Sequence, residues 1–153
     1  MPHRLLTRGS VNMDSIEVGC AIIRRGAKIL IAQRKPGIHL GGYWEFPGGK
    51  CRNGESMEVC LEREVYEELG VRILPRKCLG RTKHTFPLKE VSLHFYLCDW
   101  IVGVPVRHDC LDFRWITPGE LRKYRFPPGD DAVIRELILR ETVYFGSGSG
   151  FLR

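Results

Sequence analysis

Alternating hydrophobic and polar positions predict several β-strands along the chain. The clearest run is 91–102, where Val91, Leu93 and Phe95 alternate with Ser92 and His94, as in a strand with two unlike faces. The other β-like runs are 16–24, 28–34, 71–74, 78–86 and 113–116. Residues 25–27 contain a glycine and separate the first two of these runs, which predicts a hairpin.

A different spacing predicts a helix over 56–69. Leu61, Val65 and Leu69 fall at positions i, i+4 and i+8, so they form one apolar stripe on a helix. Ser56 is a suitable N-cap, and Gly70 ends the helix in the usual way.

Two further helices and one long loop complete the prediction. A short helix is expected after Thr117, with Pro118 at its first position, and 129–140 predicts a closing helix. The segment 35–53 is rich in glycine and proline and is interpreted as one long loop. Loops of this length inside compact domains are usually functional.

Length and composition indicate one globular domain. The chain has 153 residues, of which 43% are hydrophobic and 27% charged, so disorder is not expected. Its apolar runs are too short to cross a membrane. We interpret 14–145 as the domain and 1–13 and 146–153 as flexible tails.

Charge and cysteine content add two expectations. The net charge of +6 fits either an anionic ligand or simple solubility. The six cysteines form no CxxC pair and have no zinc-finger spacing, so a structural metal site is not expected. Because several lie in apolar segments and no secretory leader is visible, we expect reduced cysteines and a cytoplasmic protein.

The candidate chemistry lies on the predicted helix 56–69. Glu64, Glu67 and Glu68 stand at i, i+3 and i+4 and therefore share a face. Three carboxylates this close repel one another unless a cation lies among them, and oxygen ligands suit Mg²⁺ or Mn²⁺. Arg63 and Glu55 are positioned to pair and to hold the loop against the helix. Glutamates on a helix also commonly form an ordinary solvated face.

The whole segment 49–71 resembles the Nudix box, Gx5Ex7REUxEExGU. The matching positions are Gly49, Glu55, Arg63, Glu64, Val65, Glu67, Glu68, Gly70 and Val71. The resemblance implies an α+β Nudix fold, in which a mixed β-sheet is sandwiched between helices. It further implies that Glu64, Glu67 and Glu68 bind Mg²⁺, with Mn²⁺ as a substitute, together with the carbonyl of Gly48. Glu55 and Arg63 would support the loop, and water would attack at phosphorus.

Two further runs, 42–50 and 126–131, resemble the MutT-type subgroup of this family. That resemblance implies a Mg²⁺-dependent pyrophosphohydrolase that converts a nucleoside triphosphate such as 8-oxo-dGTP to the monophosphate and pyrophosphate. The substrate-binding candidates it implies are Arg34, Phe46, Gly48, Gly49, Lys50, Lys89, Phe126 and Asp130. Asp130 stands where the bacterial 8-oxo-dGTPase has an asparagine, and ionised aspartate accepts hydrogen bonds without donating them.

The general base and the substrate stay open at this point. Asp109 and Asp112 precede the last predicted strand and are the loop candidates, while the box itself offers other carboxylates. Cytidine triphosphates or another nucleoside diphosphate derivative are alternative substrates. A non-catalytic nucleotide sensor is a third interpretation. Nucleic acid is an improbable partner, no membrane association is expected, and the sequence does not choose between monomer and homodimer.

Overall fold

The computed structural model describes residues 14–146, which form one mixed sheet with helices on both sides. The strands are β1 (Asp14–Arg25), β2 (Lys28–Gln33), β3 (Trp44–Glu45), β4 (Gly48–Lys50), β5 (Arg72–Phe86), β6 (Lys89–Val102) and β7 (Asp112–Ile116). The α-helices are α1 (Met57–Leu69), α2 (Asp131–Leu139) and α3 (Glu141–Phe145), and the 3₁₀ turns are Pro118–Lys123 and Pro128–Asp130. No helix in this part of the chain has the length and apolar character needed to cross a membrane. The predicted tail 1–13 lies outside the described residues, as does the predicted tail 146–153 except for Gly146.

Strand β1 organises the sheet because it pairs with three others. The order is β3-β2-β1-β6-β5, with β4 also paired to β1 and β7 to β2. Strand β6 is parallel to β1, and the other pairings are antiparallel. Along one edge, β1 pairs first with β4, at Cys20 opposite Gly48, and then with β2, at Ile23 opposite Leu30. The glycine segment of β4 is therefore held beside the centre of the sheet.

Each face of the sheet carries its own hydrophobic core, as expected of a sheet sandwiched between helices. Ile22 belongs to the cluster that packs against α2, whereas its neighbours Ala21 and Ile23 belong to the cluster that packs against α1. All three side chains are fully buried. This arrangement confirms the expected sheet between helices in one domain.

Helix α1 matches its prediction closely. The Ser56 side chain accepts a hydrogen bond from Val59 N at 3.1 Å, and Gly70 ends the helix with a left-handed φ of 70°. Leu61, Val65 and Leu69 are fully buried against the sheet. The opposite face of α1 is therefore free to carry its acidic residues.

Three predicted boundaries are wrong. The supposed loop 35–53 contains β3 and β4, whose pairing to distant strands is invisible in the local pattern. The runs 71–74 and 78–86 form one strand, β5, because this edge strand accommodates Pro75 beside an irregularity in its pairing. The predicted closing helix 129–140 begins as a 3₁₀ turn, and a break at Arg140 separates α2 from α3.

Candidate functional site

A cavity of about 1050 Å³ lies beside the acidic face of α1. Its walls come from β1, β4, α1, the facing ends of β5 and β6, the turn before α2 and the loop after β2. The candidates from the sequence that line it are Arg34, Phe46, Gly48, Gly49, Lys50, Glu64, Glu67, Glu68, Lys89, Asp109 and Asp130. The fold thus brings together most of the candidate residues, although they are spread over about 100 positions of sequence.

The acidic face of α1 packs against the two glycines of β4. A Cβ atom at Gly49 would lie 2.2 Å from Glu64 Oε1, so only glycine leaves room for this carboxylate. Gly48 N donates a hydrogen bond to Glu68 Oε1 at 3.2 Å. These contacts hold two of the three glutamates at the cavity wall.

Arg63 connects the acidic face to the loop that precedes α1. Its Nε and Nη2 donate to the two carboxylate oxygens of Glu55 at 2.5 and 2.9 Å, and Nη2 also donates to the carbonyl of Lys50 at 3.1 Å. Its Nη1 donates to Glu64 at 2.9 Å and to Glu67 at 3.1 Å. Arg63 and Glu55 do not line the cavity, and they hold in place residues that do.

The pKa values of two carboxyl groups at or near this site are shifted in opposite directions. Hydrogen bonds from Arg63, and then from Arg52 N, lower the pKa of Glu55 to about 2. Burial, and after it the nearby Glu45, raise the pKa of Glu68 to about 8, although the hydrogen bond from Gly48 N opposes this shift. Burial and neighbouring carboxylates therefore disfavour the charged form of Glu68 in the absence of a nearby cation.

The oxygen atoms at the cavity wall are of the type that binds a hard divalent cation, although the side chains are not already grouped in the arrangement of a metal site. Among residues 14–146, no three His, Cys, Asp or Glu side chains are already grouped to hold a metal ion. Glu64 and Glu67 each accept a hydrogen bond from Arg63 instead. The donors at the wall are carboxylate and carbonyl oxygens, the type that Mg²⁺ and Mn²⁺ prefer. The role of the three glutamates as metal ligands stays a prediction.

Asp130 is the second buried acid at the cavity. Only 6% of its surface is exposed. Burial, and after it the carboxylates of Glu45 and Asp131, raise its pKa to about 7. Near neutral pH a large fraction of Asp130 is therefore protonated, and the protonated carboxyl donates as well as accepts a hydrogen bond. The protonated carboxyl group can therefore donate and accept hydrogen bonds, as can the asparagine that the bacterial 8-oxo-dGTPase has at this position.

The two candidate aromatic residues take different positions. Phe46 is almost fully buried and lines the cavity. Phe126 packs against Phe46, with ring centroids 5.1 Å apart, but it is only half-buried beside the core and does not line the cavity. Phe126 therefore supports Phe46, and the expectation that it lines the pocket is not met.

The cations at the cavity are partly paired. Arg34 Nη1 bonds to Glu45 Oε1 at 2.8 Å, whereas the Lys89 ammonium lies 5.4 Å from the centre of the Phe86 ring. Lys50 is an exposed residue at the cavity wall. Positive side chains therefore face the same space as the acidic cluster.

The structure separates the two aspartates proposed as general base. Asp109 lines the cavity and pairs with Lys35 at 3.1 Å. Asp112 is the first residue of β7, where it accepts a hydrogen bond from Phe113 N and pairs with Arg114 at 3.1 Å. Asp112 does not line the cavity, so the geometry favours Asp109.

Several cavity residues that carry polar or reactive groups are not among the candidates from the sequence. Glu45, Cys20 and His84 all line the wall, and Glu45 raises the pKa of both Glu68 and Asp130. The sequence pattern does not indicate a role for Cys20 or His84, because Cys20 lies in an apolar strand and His84 has no neighbouring partner in the sequence. The position of Glu45 between two segments of the glycine-rich run was the available signal.

The cysteines depart from the expected reduced state. Cys51 and Cys60 form a disulfide, with Cα atoms 5.2 Å apart. Folding of the loop onto the start of α1 brings together two residues that lie nine positions apart. The free cysteines of the described chain are Cys20, Cys78, Cys98 and Cys110.

Comparison with known proteins identifies the family. A family model described as the NUDIX domain matches residues 18–136, which include the acidic helix and Asp130. The chain belongs to the Nudix family. Its similarity to an 8-oxo-dGTP diphosphatase and to solved MutT structures extends over most of its length, and it is accordingly a Nudix hydrolase of that type.

Two relatives and one solved structure show how similar this Nudix protein is to known proteins. The 8-oxo-dGTP diphosphatase of Haemophilus influenzae is 34% identical over 131 residues, which cover 85% of this chain and 96% of the relative. The CTP pyrophosphohydrolase of Escherichia coli is 34% identical over 118 residues, covering 77% and 87%. The solution structure of the E. coli ORF135 protein superposes with a TM-score of 0.76 at 31% identity, covering 86% of this chain and 94% of that one.

Proposed function

We propose that this protein is a Mg²⁺-dependent nucleoside triphosphate pyrophosphohydrolase that acts on an oxidised purine nucleotide such as 8-oxo-dGTP. The observation that carries the proposal is one cavity that joins the acidic face of α1 to the buried Asp130. The acidic face of α1 provides oxygen ligands for a cation that would bind the phosphates of the substrate. Asp130 provides hydrogen bonds for the base of the substrate. Such an enzyme would remove damaged nucleotides from the cytoplasmic pool and so limit the need for DNA repair.

The proposed cation site consists of Glu64, Glu67 and Glu68 with the carbonyl of Gly48. Mg²⁺, or Mn²⁺ in its place, neutralises phosphate charge and lowers the pKa of the attacking water when it is bound. Arg63 orients Glu64 and Glu67 through its Nη1, and Glu55 holds Arg63 by two hydrogen bonds. A bound cation would stabilise the charged form of Glu68, whose pKa is raised by burial and then by the nearby Glu45.

The remaining cavity residues orient the substrate. Arg34, Lys50 and Lys89 present positive charge to the triphosphate or sugar. Asp109 is our candidate for the base that accepts a proton from the attacking water. It is exposed at the cavity and therefore accessible to water.

Recognition of an oxidised purine is supported by Asp130 and Phe46. Partly protonated Asp130 both donates and accepts hydrogen bonds, which suits a base edge with neighbouring donor and acceptor atoms. Phe46 offers an aromatic ring at the cavity wall for contact with the base. The relative from H. influenzae carries the corresponding activity in its name.

A cytidine nucleotide is the second candidate substrate. It is favoured by the ionised form of Asp130, which accepts hydrogen bonds as a cytosine amino group requires. The E. coli CTP pyrophosphohydrolase matches this chain at the same 34% identity as the relative from H. influenzae. The two candidates share their catalytic residues and differ in what contacts Asp130.

A nucleotide panel in the presence of Mg²⁺ distinguishes these substrates. We expect 8-oxo-dGTP to have a kcat/KM well above those of dGTP, CTP, 5-methyl-dCTP and ADP-ribose, with monophosphate and pyrophosphate as products. Preference for CTP or 5-methyl-dCTP would establish the second candidate. If no nucleotide were hydrolysed, the catalytic proposal would fail and a non-catalytic nucleotide sensor would become the interpretation to test.

Glu67→Gln tests the cation site directly. The change removes one charge with little change in volume from an exposed position, so the fold should be retained. We expect kcat to fall by roughly 100-fold or more, because a cation ligand is lost. Glu62→Gln is the matched control, since Glu62 is exposed on the same helix and does not line the cavity. Equal rates in the two variants would contradict the assignment of Glu67.

A further inference from the structure

The disulfide between Cys51 and Cys60 ties the loop after β4 to the first turn of α1. We propose that it is a reversible redox site that strengthens cation binding by the acidic face of α1. We call it the loop disulfide. The proposal rests on the cation site of the proposed function, but its tests do not rely on hydrolysis.

The loop disulfide joins two parts of the acidic site. Cys51 directly follows Lys50, whose carbonyl accepts a hydrogen bond from Arg63 at 3.1 Å. Cys60 lies one helical turn before Glu64 and is fully buried. The bond therefore fixes the end of β4, with its two cavity glycines, relative to the helix that carries the three glutamates.

The residues enclosed by this bond include the partner of Arg63. Glu55 lies between Cys51 and Cys60 and receives two hydrogen bonds from Arg63. Glu55 also accepts a hydrogen bond from Arg52 N at 2.8 Å, within the same loop. A constraint on this loop is therefore a constraint on the guanidinium that orients Glu64 and Glu67.

Reduction of the loop disulfide leaves weaker connections in place. Cys51 N still donates to Glu17 O at 2.8 Å, and the Arg63–Glu55 pair remains. We therefore expect the reduced protein to stay folded, with a more mobile loop between β4 and α1. Because the loop positions the carboxylates, greater mobility weakens cation binding rather than removing it.

The chemistry needs only a thiol or a disulfide of low molecular weight. An external thiolate attacks Cys51 Sγ, the bond to Cys60 breaks, and Cys60 leaves as a thiolate. A second external thiol then releases Cys51 and forms the external disulfide. In sum, the protein disulfide and two external thiols become two protein thiols and one external disulfide. Cys51 is the attacked sulfur because it is partly exposed, whereas Cys60 is buried.

Mass spectrometry of the intact chain tests the redox site itself. After equilibration with glutathione disulfide and alkylation, we expect a linked peptide that contains Cys51 and Cys60, with the other cysteines alkylated. After treatment with dithiothreitol, all six cysteines of the chain should be alkylated. Alkylation of Cys51 and Cys60 under both conditions would overturn the proposal.

Calorimetric titration with Mn²⁺ alone, without nucleotide, tests the effect on the cation site. We expect the reduced protein to bind Mn²⁺ roughly 10-fold more weakly than the oxidised protein, as for loss of a group that supports metal ligands. Its Tm should fall by roughly 5 to 10 °C in the absence of metal, because the cross-link is lost.

Cysteine variants separate the loop disulfide from other thiols. Cys51→Ser should resemble the reduced protein and no longer respond to dithiothreitol, and Cys60→Ala should agree with it if Cys51→Ser is poorly folded. Cys78→Ser is the matched control and should keep the full response, since Cys78 is an exposed free thiol on β5.

The outcomes distinguish this inference from the proposed function. Equal Mn²⁺ affinity of the oxidised and reduced proteins would overturn the regulatory role while leaving nucleotide hydrolysis untouched. Mn²⁺ binding by neither form would overturn both the regulatory role and the cation site. A response that persists in Cys51→Ser would assign the effect to another cysteine and would likewise overturn the proposal.

Discussion

The protonation state of Asp130 affects both the stability of the protein and the hydrogen bonds that this residue can form in the cavity. It is almost fully buried, and burial raises its pKa to about 7 from the value of 3.8 that applies when the chain is unfolded. The folded protein therefore binds this proton more tightly than the unfolded chain does. The resulting contribution to stability is fully present below about pH 4 and is lost as the pH rises through 7.

Asp130→Asn removes this pH dependence. We expect the variant to be more stable than the parent at pH 8 by about 4 kcal/mol, with the difference shrinking as the pH is lowered to 4. Urea denaturation between pH 4 and pH 8 measures it, and Glu62→Gln, at an exposed position on α1 outside the cavity wall, is the control. Parallel stability curves for parent and variant would show that Asp130 does not titrate in this range.

The same variant tests base recognition. Because asparagine donates and accepts at every pH, kcat/KM for 8-oxo-dGTP relative to CTP should rise and lose its dependence on pH near 7. If Asp130→Asn slowed all nucleotides equally, Asp130 would not contact the base.

Gly49 is required by the position of Glu64. Gly49→Ala would place a Cβ atom 2.2 Å from Glu64 Oε1, and the flexible carboxylate must move away. We expect kcat to fall by roughly 10- to 100-fold while Tm changes little, because a ligand side chain moves and the core does not. Gly119→Ala is the control, since nothing lies within 4 Å of its added Cβ atom. Parent-like turnover of Gly49→Ala would mean that Glu64 tolerates displacement.

Helix α1 contributes both to the hydrophobic core and to the proposed cation site. One face buries Leu61, Val65 and Leu69, and the opposite side carries Glu64 and Glu67. Gly19 lets the helix approach the sheet, since a Cβ atom there would lie 2.8 Å from Leu61 Cδ2. The position of the acidic residues therefore depends on how α1 begins, ends and packs.

The N-cap of α1 provides a test of this dependence. Ser56→Ala removes the side-chain acceptor for Val59 N and should lower the free energy of unfolding by about 1 kcal/mol. The corresponding fall in Tm is about 2 to 4 °C. Ser15→Ala, at an exposed position on β1, serves as the control. Equal melting of the two variants would show that the cap adds nothing to stability.

We expect the two cores on opposite faces of the sheet to unfold as one cooperative unit. Ile22 packs with the core next to α2, and Ile73 packs with the core next to α1. Ile22→Val and Ile73→Val should each cost about 1 kcal/mol, and the double variant should cost their sum within about 0.5 kcal/mol. All three should unfold in one transition when followed by circular dichroism and by tryptophan fluorescence. Two separate transitions would contradict a single domain.

The sequence by itself determined α1, the hairpin between β1 and β2, and the acidic face that carries the family motif. These features follow from local spacing, because residues three and four apart share a helix face and alternate residues share a strand face. Ser56, Leu61 and Gly70 hold the roles that the spacing predicted. Glu55 and Arg63 also pair as the motif implied.

Tertiary structure alone decided the features that depend on residues far apart in the chain. Strands β3 and β4 exist because β2 and β1 supply their partners, and Asp109 rather than Asp112 faces the cavity because β7 begins at Asp112. The proton on Asp130 depends on burial by the whole fold and on the charge of Glu45. Register, burial and electrostatic coupling are properties of the folded chain, so no local pattern contains them.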